Sequence, residues 1–560
     1  MTSHLLSRAA RARTGRRLNP AAVACLLPSV AHAQYRQPAI VRFLSSDAGA
    51  PEQYDVVIVG GGIAGSALAC ALASGKASST LKIALIEAFG LNDHIQQWSP
   101  RPDQYSNRVS SLTPKSVTFL KKIGIWAELD PSRVAPLEGM QVWDGVSDAR
   151  ITFDAANIQG TQASFLHQVF SGARITIDNI NTTTTTASNS QDSEFQDAGE
   201  REASSQPLAW MTENLHVQYG LQKQILAHQT RGIQLDIFER TKVQTITANP
   251  TTTTTTTTLN DVAQSAQGGQ VDISDWPVIE LDNGKKLQTR LLVGADGVNS
   301  PVRTFAKIES LGWDYAQFGL VATLQIDPMT STAPGYGKGI AWQRFLPTGP
   351  IAMLPLNNGL ASLVWSTTPK IAQDLKKLPP RDFCALVNAG FSASPAELNY
   401  LYNSIGPDGQ PLVDFQQEIE WRASVQEMEA SKSVIRGHSK VDDKPPKVVG
   451  VQENTRAPFP LRMRNSNSYV EDRVVLVGDA AHTVHPLAGQ GLNQGLADVE
   501  CLARTIEQSI LNGSDIDFGP VLWARSLGGL TAVDNIGPIK TEIMRFTMGL
   551  EDSASSSTRS

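Results

Sequence analysis

The stretch from Tyr54 to Glu87 constrains this chain more than any other. A short apolar run, Tyr54 to Val59, leads into Gly60-Gly61-Gly62-Ile63-Ala64-Gly65; Leu68 and Leu72 then fall four apart within Ala64 to Ala73, and Lys82 to Glu87 is a second apolar run. Strands buried on both faces read as continuous apolar runs, and residues four apart share a helix face, so the order is strand, turn, helix, strand. Gly60, Gly62 and Gly65 fill a GxGxxG spacing at the first strand-to-helix turn. Each has a task there: Gly60 permits the tight turn, Gly62 carries no Cβ to block a pyrophosphate, and Gly65 lets the helix pack close to the sheet. Free amides at the helix start then face the anion. Glu87 ends the next strand, where a carboxylate accepts hydrogen bonds from ribose hydroxyls and repels a 2′-phosphate.

Two later stretches again run a strand into a turn of glycine and aspartate. Leu287 to Val293 is strand-like and is followed by Asp296-Gly297, then by Ser300-Pro301, a pair that starts a helix as N-cap and first helical residue. Arg473 to Val477 runs into Gly478-Asp479; beyond it, Pro486 to Asn493 contains Gly489 and Gly491 and opens a helix on which Leu492, Leu496, Val499 and Ala503 recur. Glycines at a helix start expose bare amides to a ligand, and an aspartate at a strand end holds a sugar-alcohol hydroxyl. His482 and His485 in this loop read as histidines bonded to backbone, and no catalytic base is assigned.

Composition excludes other classes. No apolar run approaches the ~20 residues needed to cross a bilayer as a helix. Four cysteines, Cys25, Cys70, Cys384 and Cys501, lie far apart with no CxxC and no clustered histidines, so no disulfide framework and no metal site is expected, and a reducing compartment fits. Residues 1–46 hold seven arginines and no acid; without them 41 basic residues face 54 acidic ones, a balance of −13 that argues against nucleic acid as a partner. The basic, Ala- and Ser-rich segment 1–48 reads as a mitochondrial transit peptide. Thr182 to Gln206 and the tract from Thr251 to Gln270 read as disordered insertions, since such polar runs bury too little apolar surface to offset their ordering entropy.

As a set, the three constellations resemble those of the FAD-dependent aromatic hydroxylases, the group A flavoprotein monooxygenases, and within them the mitochondrial ubiquinone-biosynthesis hydroxylases. The resemblance spans roughly residues 53 to 550 outside the insertions, and includes Ser106-Asn107-Arg108-Val109-Ser110, Trp342 to Pro347, Gly349 to Ala352 and Ala457 to Leu461. It implies an α/β (α+β) fold of glutathione-reductase-like, aromatic-hydroxylase type, with a Rossmann-like FAD-binding domain and an inserted β-sheet substrate domain. The FAD-binding domain would be discontinuous, over 49–308 (with insertions near 181–207 and 249–271) and 457–530; the substrate sheet would cover 309–456, and an amphipathic helix and tail 531–560.

The resemblance implies FAD as cofactor. Gly60, Gly62, Gly65 and Glu87 would hold its ADP half, Asp296 and Gly297 the pyrophosphate and ribose side, and Gly478 and Asp479 the ribityl chain. Arg108 would stand beside the flavin, and the turn with Pro486, Gly489, Gly491, Leu492 and Asn493 would lie against the ring. Trp342, Phe345, Met353 and Leu354 either line the substrate sheet or fill its core. The implied reaction is ring hydroxylation of a polyprenyl-hydroxybenzoate or prenylphenol by O2, via a flavin C4a-hydroperoxide, on the route to ubiquinone. The implied setting is the mitochondrial matrix, peripheral to the inner membrane, with electrons from a ferredoxin and its reductase or from NADPH, among other coenzyme Q biosynthesis proteins in a complex. Ile536, Ile539, Ile543, Phe546 and Leu550 form an apolar stripe with Lys540 and Arg545 beside it, a candidate membrane contact or a face packed on the protein's own body. Between Phe518 and Leu530 the chain lacks a helical stretch that the family carries. That departure leaves an inactive scaffold subunit open, and the same fold also serves other NAD(P)H-dependent aromatic hydroxylases and prenyl reductases.

Overall fold

The computed structural model describes residues 50–91, 101, 103–147, 149–154, 207–248, 273–328, 339–422, 424, 445–485 and 489–516. The leader, both polar tracts, Pro486, the departure after Phe518 and the apolar stripe lie outside the described residues. Two large sheets and one small one organise the rest.

The first sheet is built on five parallel strands in the order Leu235–Phe238, Ile83–Ile86, Glu52–Val59, Lys286–Gly294, Val474–Leu476. Their centres are fully buried because both faces are covered. Val56, Ile58, Ile83, Leu85, Leu291 and Val293 pack under the helices Ile63–Ser74, Asn214–Thr230 and Gln490–Leu511. Val57, Val59, Ala84 and Leu292, alternating with them, pack on the other side against Ile279, Leu281 and Val302.

The second sheet has nine strands and hangs on one long strand, Ser310–Ile326, which pairs antiparallel with Leu360–Thr367 and Ala457–Ser466. Helices Pro369–Lys377, Pro380–Ser392 and Pro395–Asn403 cover one face, where Leu320, Trp342, Met353, Leu363 and Trp365 meet Phe383 and Val387. A three-stranded sheet, Val109–Leu112, Ala209–Glu213 and Ala135–Leu137, packs on the opposite face at Leu354.

This architecture moves two domain boundaries. Gly139–Asp144 and Arg150–Asp154, expected in the FAD-binding domain, join the second sheet beside Ile340–Leu346. Ala457–Ser466, expected in the FAD-binding domain, is also a strand of the second sheet, and the first sheet resumes only at Val470. Apolar periodicity finds strands, but sheet membership is decided by pairing with partners more than a hundred residues away, which periodicity does not encode.

Candidate cofactor and substrate site

All three glycine-aspartate turns leave the first sheet at the carboxyl ends of its parallel strands, the edge where open α/β sheets bind ligands. A ladder of backbone hydrogen bonds fixes them side by side: Gly60 N donates to Ile86 O (2.8 Å), Ala295 N to Val59 O (2.8 Å) and Val477 N to Gly294 O (2.9 Å).

Within the first turn the three glycines differ as their roles require. Gly60 has φ +106°, and a Cβ there would lie 2.3 Å from Ala295 O; at Gly65 it would lie 1.9 Å from Gly60 O. At Gly62 a Cβ would meet nothing within 4 Å, so this position looks onto open space. Glu87 accepts from Gly61 N (2.6 Å) and Phe89 N (3.0 Å), tying the turn to the next strand end. Each of its oxygens keeps a second lone pair for a hydroxyl donor.

Asp296 sits where a ligand hydroxyl is called for. Its Oδ2 accepts from Val302 N (3.1 Å), while Oδ1 is buried with no partner, and burial pushes the carboxyl up against the pull of Ser300, Val302 and Arg303. Gly297, at φ +81°, again faces open space. Ser300 caps the helix Pro301–Phe305 by accepting from Arg303 N (2.9 Å), as the sequence predicts. Arg303, which the sequence did not single out, bridges two turns by donating to Val298 O (2.6 Å) and Ala480 O (2.8 Å).

Asp479 stands at the same edge, where desolvation of its carboxyl pushes it above the usual carboxylate range against the opposing pull of His482. Gly478 takes φ +60° and a Cβ on it would press Ala64 at 3.2 Å, so helix Ile63–Ser74 closes on this turn. His482 departs from the expected backbone partner: its Nε2 pairs with the carboxylate of Asp498 (2.6 Å). His485 is buried, with its ring edge-on to Tyr315 at 5.0 Å.

Gly489, at φ +58°, opens the helix Gln490–Leu511. Its own face is filled, since a Cβ would meet Ser111 Oγ at 2.6 Å; Gly491 is looser, with only Val484 near, at 3.9 Å, and Leu492 is half-buried. The Asn493 amide is spent on structure: it donates to Ser111 O (2.7 Å) and Gly489 O (3.1 Å) and accepts from Thr113 N (3.0 Å) and Ser116 Oγ (2.8 Å). Asn493 therefore ties this helix to the strand Val109–Leu112 and to the first turn of the helix Pro114–Lys122. Arg108 is exposed just before Val109–Leu112, the strand that carries Ser111.

The helix caps bear on the fit for FAD. Ser300 caps one helix at this edge with its hydroxyl, whereas the helices that begin there on Gly62 and Gly489 have no side-chain cap, as is also true of Asn214–Thr230 and Pro380–Ser392 elsewhere. Uncapped amides, open space at Gly62 and Gly297, and the orphan Oδ1 of Asp296 together suit a pyrophosphate and a sugar hydroxyl.

The second sheet offers a wall. On its helix-free face, a cross-strand row runs Val142, Gln343, Ala352, Val364, Val321, Ala457, small residues flanked by Phe345 and Phe459. Gln343 is buried and its five neighbours in the row are partly buried. Of the four residues named as wall or core, Phe345 and Leu354 face this side, while Trp342 and Met353 point into the core under the helices. His482–Thr483 pairs with Arg464 and Asn465, so the Gly-Asp loop is itself an edge strand of this sheet.

A family model described as an FAD binding domain matches residues 53–405 and 411–514. A probable FAD-dependent monooxygenase of Pseudomonas aeruginosa, pqsL, shares the fold at TM-score 0.50 and 16% identity, covering 87% of this chain and 94% of its own. Fold and site thus define an FAD-binding protein. Ubiquinone biosynthesis monooxygenase COQ6, mitochondrial, of Saccharomyces cerevisiae is 32% identical over 90% of this chain and 95% of its own length; that of Xenopus tropicalis is 33% identical over 90% and 97%. The chain belongs to this COQ6 family of ubiquinone-biosynthesis monooxygenases.

Proposed function

We propose that the protein hydroxylates the aromatic ring of a polyprenyl-hydroxybenzoate or prenylphenol during ubiquinone biosynthesis, in the mitochondrial matrix at the surface of the inner membrane. Its relatives' names support the pathway and the organelle, and the arginine-rich, acid-free leader supports import. The observation that carries the reading is the single sheet edge on which Gly62, Asp296 and Asp479 stand together, joined through His482–Thr483 to the sheet that bears the apolar row.

Bound FAD supplies the activation of O2. The chain binds and orients it: Gly62 and the uncapped amides of helix Ile63–Ser74 take the pyrophosphate, and Glu87, Asp296 and Asp479 take its hydroxyls. The N-terminus of Gln490–Leu511 stabilises negative charge developing beside it through the helix dipole. Ala352, Val364, Val321 and Ala457 form an apolar floor that keeps water from the reacting ring, and Gln343 gives that floor one polar handle for a phenolic or carboxylate oxygen. Such a polarity pattern suits a phenol with a long apolar substituent. Electrons would come from a ferredoxin and its reductase, and the enzyme would work in a complex with other coenzyme Q biosynthesis proteins, in peripheral contact with the membrane.

Complementation of a quinone-deficient strain, with mass spectrometry of the accumulated precursor under 18O2, tests the proposal. Restored ubiquinone, with one labelled oxygen added to the ring of the precursor that accumulates in the enzyme's absence, is expected; a flavin-loaded protein that restores none and leaves that precursor unlabelled would refute it.

A further inference from the structure

The turn at Gly478–Asp479 has little local structure to hold it. It is one short 3-10 turn, Gly478–Ala480, entered through a left-handed glycine. What fixes it comes from the helix Gln490–Leu511. Asp498 lies on the buried stripe of that helix, between Leu496, Val499 and Leu502, and is 5% exposed. An aliphatic residue there would serve packing better, because a carboxylate withdrawn from water is retained only where donors compensate it. Its Oδ2 has two: the Gly478 amide at 3.0 Å and His482 Nε2 at 2.6 Å. His482, itself 4% exposed, lies tilted against the Tyr469 ring at 5.7 Å and sits opposite Asn465 of the second sheet. Close approach completes the clamp, since a Cβ on Gly495 would lie 3.3 Å from Gly478 Cα.

We propose that Asp498 is a positioning residue for the cofactor site. It touches neither cofactor nor substrate; it acts through Gly478, setting the turn that presents Asp479, and through His482, tying that turn to the sheet that carries the apolar row. The inference rests on the FAD reading of the sheet edge and adds to it a long-range strut from the last described helix.

Full-length wild type, Asp498→Ala, Asp498→Asn and Val499→Ala, stripped of flavin, are titrated with FAD by fluorescence, and the melting temperature of each apoprotein and the visible spectrum of each loaded protein are recorded. Asp498→Ala should weaken FAD binding by roughly tenfold or more and shift the flavin absorbance envelope, as loss of a buried charge-assisted acceptor implies. Asp498→Asn keeps an acceptor oxygen and should bind within about threefold of wild type. Val499→Ala, one residue along in the core, should melt earlier and bind FAD normally. A folded Asp498→Ala with wild-type affinity and spectrum overturns the proposal, as does a Val499→Ala that loses as much affinity. Should Asp498→Ala not fold, His482→Phe removes the second donor instead: weaker binding is expected, and wild-type affinity overturns the strut. A wild type that takes up no FAD sinks the cofactor reading itself, a result distinct from all of these.

Discussion

Gly60 and Gly62 stand two residues apart and answer to different forces. Gly60 needs both its positive φ and its missing Cβ to let Ala295 approach, whereas Gly62 has ordinary backbone angles, φ −65° and ψ −173°, and empty space before it. Gly60→Ala should therefore strike folding, costing about 2–4 kcal/mol through strain and overlap. Gly62→Val should leave the apoprotein's melting temperature nearly unchanged and weaken FAD binding by roughly tenfold or more, as a branched side chain fills the pyrophosphate's approach. Apoprotein melting curves and FAD titrations separate the two; a Gly62→Val that binds FAD normally would show that the open space serves something else. The positive φ of Gly60 and the Ser300 cap were legible because those constraints are local, set by the turn in which each sits, whereas the approach of Ala295 to Gly60 was not. Asn493, Arg303 and Asp498 were not, because their partners lie 4 to 382 residues away and most are backbone groups whose positions only the fold fixes. An acid on the apolar stripe of a helix, such as Asp498 beside Leu496 and Val499, is the one signal in the sequence that marked such a residue.

The loop that carries Arg108 is held by an ion pair between elements. Arg133 and Glu213 are both almost wholly buried, joined at Nε to Oε2 by 2.7 Å. Arg133 also donates to Arg101 O (3.0 Å) and Gln104 O (2.8 Å) and lies over the Tyr105 ring at 4.1 Å, while Glu213 accepts from Ser106 N at 2.5 Å. Glu213→Gln leaves a buried guanidinium without its counter-charge and should cost about 3–5 kcal/mol, against a smaller loss for Arg133→Met with Glu213→Leu. Urea unfolding of the single and double variants checks the order. Beside this pair, His216 accepts from Asp130 N (2.9 Å) and is kept neutral: burial, with Arg133 adding repulsion, holds its pKa down to about 4. The folded pKa thus lies below the unfolded one, so the unfolded chain takes up the proton first as pH falls. His216 contributes fully above about pH 6.5, and that contribution is lost as pH falls from there towards 4, at most about 3 kcal/mol. Unfolding free energies at pH 7, 6 and 5 should show the gap between wild type and His216→Gln narrowing with acid; a gap constant across that range would remove His216 as the cause. The strands and helices of this region were readable by period, but which charges they would bury together was not, since Arg133 and Glu213 stand 80 residues apart.

At the scale of the molecule, the second sheet separates two tasks by the alternation of its strands. One face is sealed under three helices and supplies stability; the other carries the small-residue row and is joined to the cofactor edge through His482–Thr483. Neighbouring residues on one strand should therefore fail in different ways. Met353 is 2% exposed and packed among the residues under the helices, so Met353→Ala opens a cavity and should destabilise the protein by about 2–5 kcal/mol while its folded fraction binds substrate as before. Ala352 points to the opposite face, between Gln343 and Val364, so Ala352→Phe fills the row without touching that core. It should melt within a few degrees of wild type and keep its flavin, yet raise KM for the phenol or abolish hydroxylation, with NAD(P)H-independent reduction of the flavin by dithionite unchanged. Melting curves, flavin content and product yield measured on both variants decide the matter. If Ala352→Phe instead lost stability or FAD and Met353→Ala lost only turnover, the two faces would have to exchange roles, and the substrate would lie under the helices.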